Sequence, residues 1–344
     1  MKSYQKPYIS FLMLSGLLLS QNLFSSTIDC KDLSYQGLMQ TSHELDTSGE
    51  KTLYTDEQGN RWFVKHNALN LVINEYVASK LYGFISGPTN AKVALFVCDS
   101  NIHIATELLQ GFHEFKMFKH EIEGFRLEDA GRENARFHGK SVSGLAEALY
   151  GTLLNFDDDI KDSLNFALVE REEDVRVVRF DFDDSFKFYD SLFITEIALA
   201  PSIAAHFNAL RPGGAEFVRQ SLKRDLKYWD PSFFWLFDKM PALKSLPGLP
   251  SQLRQIHDSV FANQEELMQV IDEAYETIAQ NIPESRLRKA YNFKKLRAVA
   301  RSRKIAISVK DPLAKQLANF TKGMIAERLN KLEDELPTQE HNDL

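Results

Sequence analysis

Apolar and polar positions alternate along the early part of the chain. Between residues 46 and 67 a Ser-Gly turn precedes a β-prone run at residues 52–55, and a Gln-Gly-Asn turn joins that run to RWFVK at Arg61–Lys65, which predicts a hairpin. The period then changes. In LNLVINEYVASKLYGFI the apolar residues Leu71, Val77, Ala78, Leu81 and Phe84 recur at spacings of three, four and their sums, which predicts an amphipathic helix ending near Gly87-Pro88. AKVALFV and IHIATELL read as two further strands around the turn CDSN. Beyond Gly111, FHEFKMFKHEIEGF reads as helical or irregular, and SVSGLAEALYGTLLNF as a helix with a small-residue face. NFALVE and VRVVRFDF are short strands around REED.

Past Tyr189 the chain reads as mostly helical. Pro231, Pro241, Pro247 and Pro250 crowd into a short window, which marks the joint between a core and a helical C-terminal extension. The aromatics of WDPSFFWLFDKM in that window are assigned to packing. No internal repeat is found. After Pro337 the chain turns polar and is expected to fray. These elements predict an α+β fold.

Composition bounds the reading. A chain of 344 residues with 44% hydrophobic and 26% charged residues has ample material for a core and does not belong to the disordered class. A net charge of -7 argues against a protein that coats nucleic acid as a whole. Cys30 and Cys98 have neither zinc spacing nor the count of a disulfide framework, and a single bridge between them stays open. At the N-terminus, Lys2 and Lys6 precede an apolar run from Ile9 to Leu19. The run is too short for the ~20 residues of a membrane-spanning helix and suits the ~7–15 of a signal-peptide core. An export signal over residues 1–26 is the first reading; an uncleaved anchor and a buried N-terminal helix are the alternatives. A protein so marked would be secreted or delivered to another cell.

The candidate chemistry lies in DDDIKDSLNFALVEREEDVRVVRFDFDDSF, residues 157–186. Carboxylates stand at both ends of an apolar stretch, with Asn165 at its entrance. Polar turn residues explain such ends locally; so does a metal and phosphate site. Phosphoryl transfer from a nucleotide needs a turn over the phosphates, a lysine, an acid to hold it, metal ligands and a group that orients the nucleophile. Gly49 in TSGEK supplies a turn. Lys65 ends a strand, and Glu75, beside Asn74, lies on the following helix. Glu107 to Leu109, in ATELLQG, can offer backbone groups to an adenine ring. Taken singly, Lys65 reads as a strand-end surface lysine and Glu75 as an exposed helix acid.

In this order the runs WFVKHN, NEYVASKLYGFISGPTNAKVAL, IHIATELLQGF and ALYGTLLNFDDDIKDSLNFALV through VVRFDFDDSF resemble the protein-kinase-like superfamily, nearest its atypical branch of HipA-like toxin kinases, phosphatidylinositol kinases and bacterial effector kinases. The resemblance implies a two-lobed fold. A small antiparallel-sheet N-lobe would occupy residues 27–110, a largely helical C-lobe carrying the catalytic hairpin 111–240, the helical extension 250–336, and a disordered tail 337–344. It implies ATP with Mg²⁺ or Mn²⁺, and a protein or lipid hydroxyl as acceptor. Lys65 would be the phosphate-binding lysine and Glu75 its partner. Asn165 and Asp181 would be the metal ligands, with Asp183 the second choice for the latter role. The pattern H-R-D-x-x-x-x-N puts Ile160 where the catalytic acid belongs, so a one-residue expansion of the loop makes Asp159 the base, with Asp162 as its rival. That departure keeps open a pseudokinase, a binding module without catalysis.

A second feature stands outside this set. RLRKAYNFKKLRAVARSRK, from Arg286 to Lys304, carries nine Lys or Arg and no acid. It reads as a solvated helix face paired to acids elsewhere, as a surface for an anionic membrane, or, less favoured, as a nucleic-acid contact.

Overall fold

The computed structural model describes residues 27–38, 51–87, 91–98, 101–115, 121–155, 165–182, 185–186, 243, 246 and 248–336. The expected signal at 1–26, the aromatic window and the tail after Pro337 lie outside these residues.

Six strands form the first sheet: β1 (Thr27–Asp29), β2 (Leu33–Leu38), β3 (Lys51–Asp56), β4 (Arg61–Lys65), β5 (Val93–Cys98) and β6 (Asn101–Glu107), in the order β1-β5-β6-β4-β3-β2. Only the β1–β5 pair is parallel. The β3–β4 turn is tied by Asp56, whose carboxylate accepts from the backbone N–H groups of Gln58 and Asn60 and from the Trp62 indole at 3.0 Å. A disulfide joins Cys30 to Cys98, fixing the chain beside β1 to the end of β5. Period-two alternation on β4 sends Trp62 and Val64 to one face, where they pack with Leu33, Phe96 and Ala105. Lys65 is thereby directed to the opposite face.

That face is covered by α1 (Leu69–Ser86). An amphipathic helix was expected, with one wet side. Instead Val72, Ile73, Tyr76, Val77, Leu81 and Tyr82 are all buried, because α4 (Gln264–Asn281) of the C-terminal region also packs against α1. Covered on two sides, the helix is apolar most of the way round.

The second sheet has the order β10-β11-β13-β12-β7, built from β7 (Phe112–Glu114), β10 (Arg136–Phe137), β11 (Lys140–Ser143), β12 (Phe166–Glu170) and β13 (Asp174–Arg179). β8 (Glu121–Ile122) and β9 (Phe125–Arg126) make a small ribbon. The stretch read as helical or irregular after Gly111 thus contains three short strands. Tertiary pairing decides it: β7 is the edge partner of β12, and Gly111 makes the entry possible. Its φ is +66°, and a Cβ there would lie 2.3 Å from the Glu170 carbonyl oxygen.

α2 (Leu145–Leu154) runs through the middle of the molecule and is buried along its length. The C-terminal region supplies α3 (Leu249–Ala262), α4, α5 (Glu284–Ala290), α6 (Phe293–Ser302) and α7 (Leu313–Glu335), of which α3 and α7 pack against α2. One apolar cluster runs from α1 and α2 through β12 and β13 into these C-terminal helices. Polar ties reinforce the contact. The Arg328 guanidinium, 1% exposed, donates to the Leu153 carbonyl at 2.8 Å, and Tyr150 meets His257 Nδ1 at 3.0 Å. His257 Nε2 lies 2.9 Å from Glu333, which also pairs with Arg254. Burial pushes the His257 imidazole below its ordinary range, against the pull of Glu333. Among the described residues, no helix is long and apolar enough to cross a membrane.

Candidate functional site

The lysine that sequence alone reads as a strand-end surface residue is 3% exposed. Its ammonium group donates to Glu75 Oε1 at 2.9 Å and also to Asp181 Oδ1, so β4, α1 and the end of the β12–β13 hairpin converge on one nitrogen. Glu75 is itself 1% exposed. A buried charge is tolerated only when paired, and desolvation strengthens the pairing. Lys65, Glu75 and Asp181 together carry one positive and two negative charges, a small excess of carboxylate at a point where Asp181 keeps a side-chain exposure of 18%.

Asp181 has φ +59°. L-residues seldom adopt that conformation, aspartate being among the more tolerant, and such outliers gather where the surrounding structure enforces a particular side-chain direction. Asn165 is 4% exposed, and its carbonyl accepts from the Phe180 N–H at 2.9 Å. With Phe166 opposite Arg179, the register sets Asn165 across from Phe180 and next to Asp181. Two hard oxygen donors therefore stand at the same end of the hairpin.

Beside them lies an apolar surface. Ala167 and Val169 share a strand face with Asn165, and Val178, Leu109, Phe112 and Phe180 pack with them. Leu109, expected to serve through its backbone, thus also contributes its side chain. Glu107 is engaged otherwise. Its N–H donates to the Lys92 carbonyl at 2.9 Å, its carboxylate accepts from the Lys92 N–H at 3.3 Å, and the Leu108 N–H is taken by Arg61 at 2.7 Å.

Several side chains that sequence reasoning did not single out hold α1 against the hairpin. Tyr82 accepts from the Arg179 N–H at 3.0 Å, and its ring meets Phe182 at 5.3 Å. Burial pushes its hydroxyl up to about 12. Gly151 of α2 makes room for that ring, since a Cβ there would lie 2.6 Å from it. Asn74 Nδ2 donates to the Ser185 carbonyl at 3.2 Å, and Tyr291 reaches Asn74 Oδ1 at 3.3 Å from the C-terminal helices. Asn74 was visible only as the neighbour of Glu75. Tyr82 and Gly151 have no sequence signal apart from their place on apolar helix faces.

Gly49, Asp159, Asp162 and Asp183 lie outside the described residues. Among those described, no group of three or more His, Cys, Asp or Glu side chains is arranged to hold a metal ion. The pair Asn165 and Asp181 is nonetheless chemically suited to Mg²⁺, which keeps several waters and takes the rest of its shell from one or two protein oxygens and substrate phosphates.

No family model matches the chain, and no curated protein matches it. Among solved structures it is similar to the Helicobacter pylori proinflammatory kinase CtkA, over 90% of this chain and 96% of that one, at 13% identity and a TM-score of 0.42. At that distance the likeness says nothing about activity, which has to be argued from the residues.

Proposed function

We propose that the chain is a kinase-like phosphotransferase that moves the γ-phosphoryl group of ATP, with Mg²⁺ or Mn²⁺, to a hydroxyl on a protein or a phospholipid. One observation carries the reading. A lysine on an early strand, an acid on the next helix and an acid after a distant hairpin share a buried ion-pair site, although Lys65 and Asp181 are 116 residues apart. A surface lysine in a structural role has no need of two carboxylates.

In this reading the first sheet with α1 is one lobe and the second sheet with the helices is the other. Lys65, held by Glu75, sets its ammonium group against the phosphates and lowers the cost of bringing their charge into a site already rich in carboxylate. The apolar surface of Ala167, Val178 and Leu109 takes the base. Asn165 and Asp181 would hold the metal ion, which when bound neutralises charge on the phosphate oxygens. Positioning and electrostatics are then the protein's main contribution, as the loose transition state of phosphoryl transfer requires. The reading is made at the level of the kinase-like superfamily; nothing beyond the original resemblance favours the HipA-like branch.

Ile160 at the position of the catalytic acid favours a second reading, a nucleotide-binding module without transfer. The Cys30–Cys98 disulfide supports export, since such bonds persist in oxidising spaces. An exported ATP-dependent enzyme acts after delivery into another cell. The test is transfer of radiolabelled γ-phosphate to candidate proteins and to phosphoinositide vesicles. Loss of incorporation in Lys65→Ala and Asp181→Ala is expected. Equal labelling by parent and variants discards the transferase, and a Mg-ATP-dependent thermal shift without turnover favours the module.

A further inference from the structure

The proposed nucleotide site leaves the run from Arg286 to Lys304 unused. It folds as two short helices that bury one side each. α5 turns Leu287 inward and leaves Arg288 and Lys289 exposed; α6 buries Phe293, Leu296 and Ala300 and exposes Lys294, Ala298 and Arg301. Lys304 and Lys310 are exposed in the connection to α7. Some bases have internal partners: Arg297 donates to Gln316 at 2.8 Å, and Arg303 pairs with Glu327. Arg286 and Lys295 are engaged as well, which leaves six. Arg288, Lys289, Lys294, Arg301, Lys304 and Lys310 make no ion pair with any acid among the described residues. From Ser285 to Lys310 the sequence contains no Asp or Glu. Among the described residues, these six bases are not balanced by neighbouring acids.

Two observations indicate what such a face meets. Val309, next to Lys310, is 67% exposed, more than any other large apolar side chain among the described residues. The aromatic residues of the run point the other way, Tyr291 being 2% and Phe293 5% exposed. Single-stranded nucleic acid is held by stacking on exposed rings, and this surface presents none. An aliphatic side chain on a loop among lysines suits the boundary between headgroups and acyl chains, with the charges level with the headgroups. Beside the loop an open groove of about 710 Å³ is lined by Ser302, Lys304, Asn319 and Asn330 together with Arg303 and Glu327, whose charges offset each other in an ion pair.

We propose that the outer face of α5 and α6, with Val309 at its edge, docks the protein on an anionic phospholipid bilayer. The rest of the chain is acidic enough to give a net charge of -7 overall, so an anionic surface attracts this face and repels the others. None of these bases belongs to the Lys65–Glu75–Asp181 group, and the test needs no nucleotide.

The experiment is co-sedimentation of the mature full chain with vesicles of phosphatidylcholine alone or mixed with phosphatidylserine. Binding is expected to the mixed vesicles only, and raising ionic strength from about 0.1 M to 1 M, which shortens the Debye length from ~10 to ~3 Å, releases it. Each basic residue near such a surface is worth about a fivefold change in partition, so the triple variant K294A/R301A/K304A binds on the order of 100-fold less well. Val309→Asp weakens binding with the bases intact, and Val309→Leu does not. The control R126A/R132A/R136A alters net charge equally at exposed positions of the second sheet and its flanks, and binds like the parent. Equal pelleting with neutral and anionic vesicles overturns the proposal. So does a triple variant that pellets like the parent, an equal loss in the control, or tighter binding to an oligonucleotide than to the vesicles.

Discussion

Lys65→Met keeps much of the stem volume and removes the ammonium group on which the site is built. Glu75 at 1% exposure then loses its cation in a place where water cannot replace it, and the partly exposed Asp181 loses the same partner. Removing one partner of a buried pair costs about 3–5 kcal/mol, a large part of the ~5–15 kcal/mol that separates folded from unfolded states. Glu75→Leu alone is milder, because Lys65 retains Asp181. In Lys65→Met/Glu75→Leu the buried charge at Glu75 is gone as well, and part of the loss returns. Urea unfolding of the parent, the two single variants and the double variant gives the coupling energy, expected to be about 2 kcal/mol or more. Single-variant effects that add to within ~0.5 kcal/mol, as they do for independent sites, refute the reasoning.

Other consequences can be checked on the same preparations. Cys98→Ser, or reduction of the parent, opens a link across 68 residues and lowers stability by about 4 kcal/mol, read as a fall in urea midpoint. Gly151→Ala drives a methyl group into Tyr82 and costs about 1–3 kcal/mol; if Tyr82 positions Phe182, near-ultraviolet circular dichroism of the aromatic residues changes too. His257 has a folded-state pKa below its unfolded value of about 6.5, so the unfolded chain binds the extra proton. Stability conferred by the neutral ring is complete above that value. It is lost as pH falls below it, at up to about 1.4 kcal/mol per pH unit, and His257→Gln flattens this slope in melts at stepped pH.

The elements were legible where local pattern and tertiary environment agree. β3, β4, β5, β6, β12 and β13 follow from alternation and turn residues, and α2 from its small-residue helical run, although Ser141–Ser143, read as the start of that helix, pairs with β13 as part of β11. α1 was legible as a helix but not as a buried one, because α4, which covers it, lies almost two hundred residues further on. β7 was missed because its identity comes from pairing with β12 across a long stretch of sequence, and nothing in Phe112–Glu114 specifies that partner. The order of Lys65, Glu75, Asn165 and Asp181 suggested a site, yet its burial could not be read. Lys65 alone looks like a surface residue, and only folding shows it closed in by two acids. The left-handed backbone at Asp181 and the fit of Tyr82 over Gly151 are properties of the packed state that residue type permits but does not specify.

The central claim is that Lys65 and Asp181 face a nucleotide, and thermal unfolding with Mg-ATP tests it most directly. With ligand at about 100 times its Kd, binding confined to the folded state adds about 2.7 kcal/mol. A rise in Tm is predicted for the parent, abolished by chelating the metal and by Asp181→Asn, a substitution that tolerates the same backbone conformation. No rise with Mg-ATP, or an equal rise in Asp181→Asn, contradicts the account.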